Sequence, residues 1–330
     1  MPTTFIELFR SQADAHGRMS FADFMRLALY DSQLGYYTRD RVRVGRATNT
    51  DFFTATQSPL FGELVAAACT TLVAPRAPSE FTFVEIGAEP SGGIFTGQAH
   101  PFAAVETRRF GDPLTLSGPC IVFSNELFDA QPFHRVVFRK GAWQELGVEI
   151  VADGHLRECE LPEFSGILKE RRSLLPASAS DNYHLDLPIL ATDLAAQIAS
   201  QPWNGLFVAF DYGKSWRELV EETPQGTLRA YSKHQQSNGL LAQPGEQDLT
   251  GHICWDWLAI ALATHGFAHP KVQPQESFFV RQAEKHIAEI TTVEAARFSP
   301  RKQSLMQLLH PSHMGQKFQV LYARRDAARD

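Results

Sequence analysis

Asn125, Glu126 and Asp129 follow directly on an apolar run at 119–124, PCIVFS. A short run of this kind reads as a buried strand, and its exit then delivers an amide and two carboxylates to one edge of a sheet. Carboxylates three residues apart can hold a planar cation through paired, charge-assisted hydrogen bonds, with Asn125 able both to donate and to accept. The plainer alternative is a turn in which Asn125 or Asp129 caps a short helix. Asp211 and Tyr212 end a second apolar run, 205–210, and are expected to line the same cleft. The alternative there is a strand-end turn in which Gly213 takes positive φ.

The elements that would carry these groups follow from periodicity. Residues 3–15 and 20–30 read as amphipathic helices, the second capped by Ser20. A third helix is expected from Ser58-Pro59, with Pro59 in the first helical position, to about Val73. Strands are expected at 81–86, 102–106, 119–124, 205–210 and 317–323, and helices at 189–200 and 255–265. Between 133 and 160 polar and apolar residues alternate around Gly141 and Asp153-Gly154, which predicts a hairpin or meander.

Apolar strands interleaved with helices, several of them ending in polar residues or glycine, predict an α/β fold. Its core is a doubly wound, Rossmann-like sheet with the site at the carboxyl edge. The expected organisation is an N-terminal helical segment at 1–75, a core from 76–132 and 201–330, and an inserted β-rich and helical subdomain at 133–200. The segment 226–250, which carries His234 and Asp248, reads as a lid or substrate wall. His234 is a possible base there, or a hydrogen-bonded structural histidine.

Seven motifs occur in order: Gly35-Tyr36-Tyr37, Phe61-Gly62-Glu63, Asn125-Glu126-Leu127-Phe128-Asp129-Ala130, Asp211-Tyr212-Gly213, Gly226-Thr227-Leu228-Arg229-Ala230-Tyr231, Pro244-Gly245-Glu246-Gln247-Asp248-Leu249-Thr250 and Met314-Gly315. Together they resemble the MidA-like family, whose mitochondrial members assist assembly of respiratory complex I. The resemblance spans nearly the whole chain. It implies a class I methyltransferase fold that binds S-adenosylmethionine and methylates protein arginine, to symmetric dimethylarginine in the mitochondrial case.

On that resemblance Asn125, Glu126, Asp129 and Asp211 are the candidate catalytic residues. A protonated guanidinium has no lone pair to offer. Carboxylates against it would hold it and draw its positive charge toward a non-reacting nitrogen. Cofactor contacts are expected from Glu85, Gly87, Gly92 and Gly93, and from Glu106 on the ribose hydroxyls, unless Glu106 is a plain surface glutamate.

Glu85 and Gly87 match the family's loop pattern, whereas Glu89 and Ser91 stand where its second and third glycines are expected. Glu89 adds negative charge near the methionine carboxylate, and Pro90 removes an amide donor. Residues 94–101 are few for a crossover helix, and 107–118 are few for the helix and strand that build the adenine side. Two readings therefore stand at this point. One is an S-adenosylmethionine-dependent methyltransferase acting on a protein arginine. The other is a catalytically inactive relative that has lost the cofactor and serves as a protein-binding or assembly factor.

Composition narrows the field. Net charge is −6, from 37 acidic and 31 basic residues, which argues against a global nucleic-acid footprint; a protein substrate or assembly partner is what the resemblance implies. The run Arg39, Arg41, Arg43 and Arg46 reads as a solvated loop or substrate rim. Cys69, Cys120, Cys159 and Cys254 are scattered, which fits neither a zinc ribbon nor a secreted disulfide framework. Residues 1–10 lack a signal-peptide pattern, and no run approaches the roughly 20 apolar residues of a membrane span. A soluble, cytoplasmic protein is expected, and the missing transit peptide leans toward a bacterial source. His265 and His269 lie four apart without an HExxH pattern, so no metal site is expected. A Ser-His-Asp hydrolase lacks its G-x-S-x-G elbow.

Overall fold

The computed structural model describes residues 4–38, 56, 58–90, 92–233, 235–294 and 299–327. The arginine run at 39–46, Ser91 and His234 lie outside them. The chain divides into two units, each assembled from three stretches.

Residues 54–127, 193–213 and 255–330 form the unit that holds the large sheet. Among the described residues it has six strands, in the order Ala268–Pro274, Gln319–Arg325, Trp203–Asp211, Gly118–Asn125, Thr82–Ile86 and Ala104–Arg108. The last four run parallel, and Gln319–Arg325 is antiparallel to both its neighbours. Strands covered on both faces are apolar throughout rather than alternating, which is why PCIVFS has no polar rhythm. Phe83, Ile121, Phe123, Leu206, Val208 and Phe210 pack on one face with Phe61, Leu64 and Val65 of the Pro59–Val73 helix. That helix belongs to the sheet's unit, because its apolar stripe is buried there. Pro59 occupies its first turn, where a missing N–H costs nothing.

The winding reverses once. From Thr82–Ile86 the chain crosses to Ala104–Arg108 on one side, then returns to Gly118–Asn125 on the other. The first crossover has no helix between Gly93 and Ala104. Phe95 and Phe102 instead pack on Phe83, with ring centroids 4.8 and 5.0 Å away, and supply the apolar cover. No strand lies between Arg108 and Gly118, so among the described residues the sheet ends at Ala104–Arg108. That strand starts two residues later than the sequence pattern suggests, which leaves Glu106 in its middle rather than at its end.

The other unit comprises residues 1–53, 128–192 and 214–254. The alternation after residue 133 forms the meander His134–Arg139, Ala142–Ile150 and Leu156–Glu160, extended by Arg18–Ser20 and Tyr183–Leu187. The helix Phe21–Tyr30 starts where Ser20 accepts the Asp23 N–H at 3.1 Å. The segment 226–250 is not a free lid. It forms a three-stranded sheet, Arg229–Ser232, Gln235–Ser237 and Asp248–Thr250, whose Leu228, Ala230 and Leu249 are buried with Phe9, Phe24 and Tyr36. Apolar residues at alternate positions gave it a core face. No described helix is long and apolar enough to cross a membrane.

Candidate active site

Open parallel sheets bind ligands outside the carboxyl ends of the strands where the winding reverses. Here that point lies between Thr82–Ile86 and Gly118–Asn125. Register sets Ile86 opposite Ser124 and Asn125 opposite Phe210, so Gly87, Asn125 and Asp211 leave adjacent strands at one edge. Gly87 turns the chain with φ 84°, and a Cβ on it would lie 3.0 Å from Leu127 Cδ1. Glycine is needed on both counts. The N–H groups of Gly87 and Ala88 donate to the Arg108 carbonyl at 2.8 and 3.3 Å, which stitches the loop to the next strand.

Glu85 works beneath this loop. Its carboxylate is buried and accepts the Ile94 N–H at 2.8 Å. A Cβ on Gly93 would come within 2.2 Å of the same oxygen, so the absence of a side chain there lets the backbone pass over the acid. Burial pushes the Glu85 carboxyl up to about 7, against the Ile94 hydrogen bond and with help from the charge of Glu89. The Gly92 N–H closes a turn onto the Glu89 carbonyl at 2.9 Å. Glu85, Gly92 and Gly93 thus shape the loop, while Gly87 stands at the sheet edge itself. Glu106 is exposed and forms an ion pair with Arg108.

At the end of the central strand Asn125 Nδ2 donates to the Glu126 carboxylate at 2.9 Å. Asn125 Oδ1 and the Ser124 hydroxyl are buried and have no hydrogen-bond partner among the described residues. Leaving a buried polar group unpaired costs roughly 1–3 kcal/mol, and such an atom in a native fold calls for an explanation, a ligand among them. Glu126 adopts φ 50°, and its N–H donates to the Phe210 carbonyl at 2.9 Å. Asp211 is fully buried and accepts the Tyr212 N–H at 2.8 Å. Gly213 does not take positive φ. It is needed because a Cβ would sit 2.3 Å from the Trp255 indole nitrogen.

Asp129 belongs to the other unit. It is buried in a turn closed by Gln131 N–H to the Phe128 carbonyl at 3.3 Å. No helix begins at Asn125 or at Asp129, so neither is a helix cap. Ser124 was not singled out by the sequence pattern, since a hydroxyl at a strand end carries no signal of its own.

The donor set suits S-adenosylmethionine in part. Its ammonium and adenine amino groups are N–H donors, the complement of Asn125 Oδ1 and the Ser124 oxygen. Glu106, the acid expected at its ribose, is exposed and meets Arg108 through one carboxylate oxygen, which leaves acceptor capacity on the other.

A family model of S-adenosyl-L-methionine-dependent methyltransferases, Methyltransf_28, matches residues 105–272, just over half of the chain. The chain belongs to this family. The matched segment of this methyltransferase carries Asn125, Glu126, Asp129 and Asp211 and begins beyond the loop at 87–93. A Drosophila melanogaster protein, protein arginine methyltransferase NDUFAF7 homolog, mitochondrial, is 24% identical over 94% of this chain and 83% of its own length. Among solved structures, a COG1565 superfamily member from Burkholderia thailandensis, bound to S-adenosylhomocysteine, aligns with TM-score 0.83 and 24% identity. That alignment covers 98% of this chain and 92% of the other. A native structure of a COG1565 superfamily protein from Burkholderia thailandensis gives TM-score 0.79 and 23% identity, over 98% and 91%. These likenesses establish the methyltransferase fold.

Proposed function

We propose that this methyltransferase moves the methyl group of S-adenosylmethionine to a guanidinium nitrogen of arginine in a partner protein, releasing S-adenosylhomocysteine and one N–H proton. The observation that carries the reading is the buried Oδ1 of Asn125, without a hydrogen-bond partner among the described residues, beside the Glu126 carboxylate at the reversal point of the sheet. The name of the Drosophila relative supports arginine as the acceptor. The bound cofactor supplies an electrophilic methyl group on a sulfonium.

Asn125 has two jobs in this reading. Its Oδ1 would accept an N–H of the bound cofactor, while its Nδ2 holds Glu126 in place. Glu126 is assigned the countercharge that holds the guanidinium and polarises it, and Asp129 is taken, on its own, as a second carboxylate for that role. Asp211 adds negative potential at the end of the neighbouring strand. Neither nucleic acid nor a membrane is part of the proposal, and the site of action is taken to be the cytoplasm.

Calorimetry with S-adenosylmethionine and S-adenosylhomocysteine tests the cofactor half. Asn125→Ala should weaken binding about tenfold, the worth of one hydrogen bond in a buried site. Glu126→Gln should bind within about twofold of wild type and lose transfer to arginine peptides. Absence of binding at millimolar cofactor leaves only the inactive assembly-factor reading.

A further inference from the structure

We propose that Tyr30 and Tyr37 are positioning residues that set the direction of the Asp129 carboxylate; the inference rests on the guanidinium-holding role proposed for Asp129. All the groups concerned lie in one unit. Asp129 and Ala130 are the central residues of the turn closed by Gln131 N–H on the Phe128 carbonyl. The Asp129 carbonyl accepts the Gly251 N–H at 2.9 Å, and the Ala130 carbonyl accepts the Tyr30 hydroxyl at 3.0 Å. Consecutive peptide planes are therefore pinned from outside the turn. These two planes flank Ala130, and the second also carries the Gln131 N–H that bonds the Phe128 carbonyl; the planes on both sides of Asp129 are thereby held, and with them its Cα–Cβ direction, since only φ and ψ are soft in the backbone.

Tyr37 braces this arrangement. Its ring stacks on Tyr30 with centroids 5.4 Å apart and planes 20° from parallel. Its hydroxyl donates to Asp248 Oδ1 at 2.9 Å, an oxygen that also takes the Leu249 N–H at 2.9 Å. Asp248 begins the strand that leads into Gly251, so the two tyrosines and the Gly251 amide join one small framework around the turn. Burial, reinforced by the charges of Asp248 and Asp129, raises both phenols well above their usual range. They remain protonated donors at every working pH. Three of the sequence motifs, Gly35-Tyr36-Tyr37, Asn125 to Ala130 and Pro244 to Thr250, meet here.

The test uses the full chain, radiolabelled S-adenosylmethionine and a mixed library of N-acetylated arginine peptides. Tyr30→Phe keeps the ring and removes the hydroxyl. It should lower kcat at least tenfold, the scale on which a small misplacement of a binding group acts, and leave S-adenosylhomocysteine affinity within about twofold. Amide hydrogen exchange at Gln131 should quicken without any cofactor present. In an Asp129→Asn background the Tyr30→Phe change should have no further effect on kcat, because the group it positions is gone. Tyr183→Phe is the control: its hydroxyl also bonds a backbone carbonyl of this unit, Leu219, at 2.9 Å, and its loss should leave kcat unchanged. Additive losses in the double variant, or wild-type kcat in Tyr30→Phe, overturn the inference while leaving the arginine reading intact. Full transfer by Asp129→Asn, or no transfer by the wild-type chain, removes that reading and this inference with it.

Discussion

Glu85 offers a quantitative test of the cofactor loop. Its carboxyl stands at about 7 against a usual 4.5, a gap of about 2.5 pH units. At 1.36 kcal/mol per pH unit, ionised Glu85 costs the fold roughly 3 kcal/mol relative to the neutral acid. The sign follows from linkage. The folded state holds the proton more tightly than the unfolded chain, so this contribution is complete below pH 4.5 and is lost as pH rises through 7. Glu85→Gln retains an acceptor for the Ile94 N–H and removes the titration.

The variant should therefore gain on wild type by roughly 3 kcal/mol between pH 4.5 and pH 8, with the difference developing over that window. Urea unfolding at half-unit pH steps, paired with ¹³C detection of the Glu85 carboxyl, measures both sides of the relation. A stability difference that stays flat from pH 4.5 to pH 8, or a carboxyl that titrates near 4.5, would refute the argument. Cofactor affinity then reports how far the loop depends on this buried acid.

Other outcomes follow from single sites. Gly87→Ala should destabilise by about 1–2 kcal/mol, since it forces a side chain into left-handed backbone and toward Leu127; thermal unfolding reads this directly. Arg325 donates to the carbonyls of Ala199, His265, Gln201 and Trp203, with Phe267 4.6 Å from its guanidinium. Arg325→Met should cost about 3 kcal/mol, because hydrogen bonds from a charged group are the strong ones, and should leave the site chemistry untouched. His252 is lowered to about 4, first by burial and then by the charges of Lys214 and Arg229. It should stay neutral by NMR at pH 6. Because the unfolded chain protonates it first, its contribution weakens stability as pH falls from 6.5 toward 4, a trend that His252→Gln should remove.

The parallel core was legible because burial on both faces writes itself as uninterrupted apolar runs, as in 119–124 and 205–210. The Ser20 and Pro59 helix starts were legible from local chemistry alone. The strands Tyr183–Leu187 and Ala268–Pro274 were not, since the first is interrupted by His184 and Asp186 and the second by proline, lysine and glutamine. Their places come from partners distant in sequence. The helices Gln275–Gln282, Glu284–Val293 and Pro300–Leu309 have mixed faces that only tertiary packing resolves. At the site, Asn125, Glu126 and Asp211 could be located as strand ends. That Glu85 turns inward to Ile94, and that Gly93 exists to make room for it, depends on contacts no spacing rule encodes. Glu106 was misplaced by two residues of strand register, enough to exchange a terminal position for an ion-paired one.

Glu126 is a carboxylate-bearing residue in backbone that glycine occupies with ease. Replacing it with glycine would relax the main chain by about 1 kcal/mol and abolish the group proposed to meet the substrate. Selection for robustness alone would discard this side chain. A lineage that retained the fold but abandoned the reaction should drift to glycine at this position, so the identity of residue 126 becomes a marker by which working and retired copies of the enzyme can be told apart.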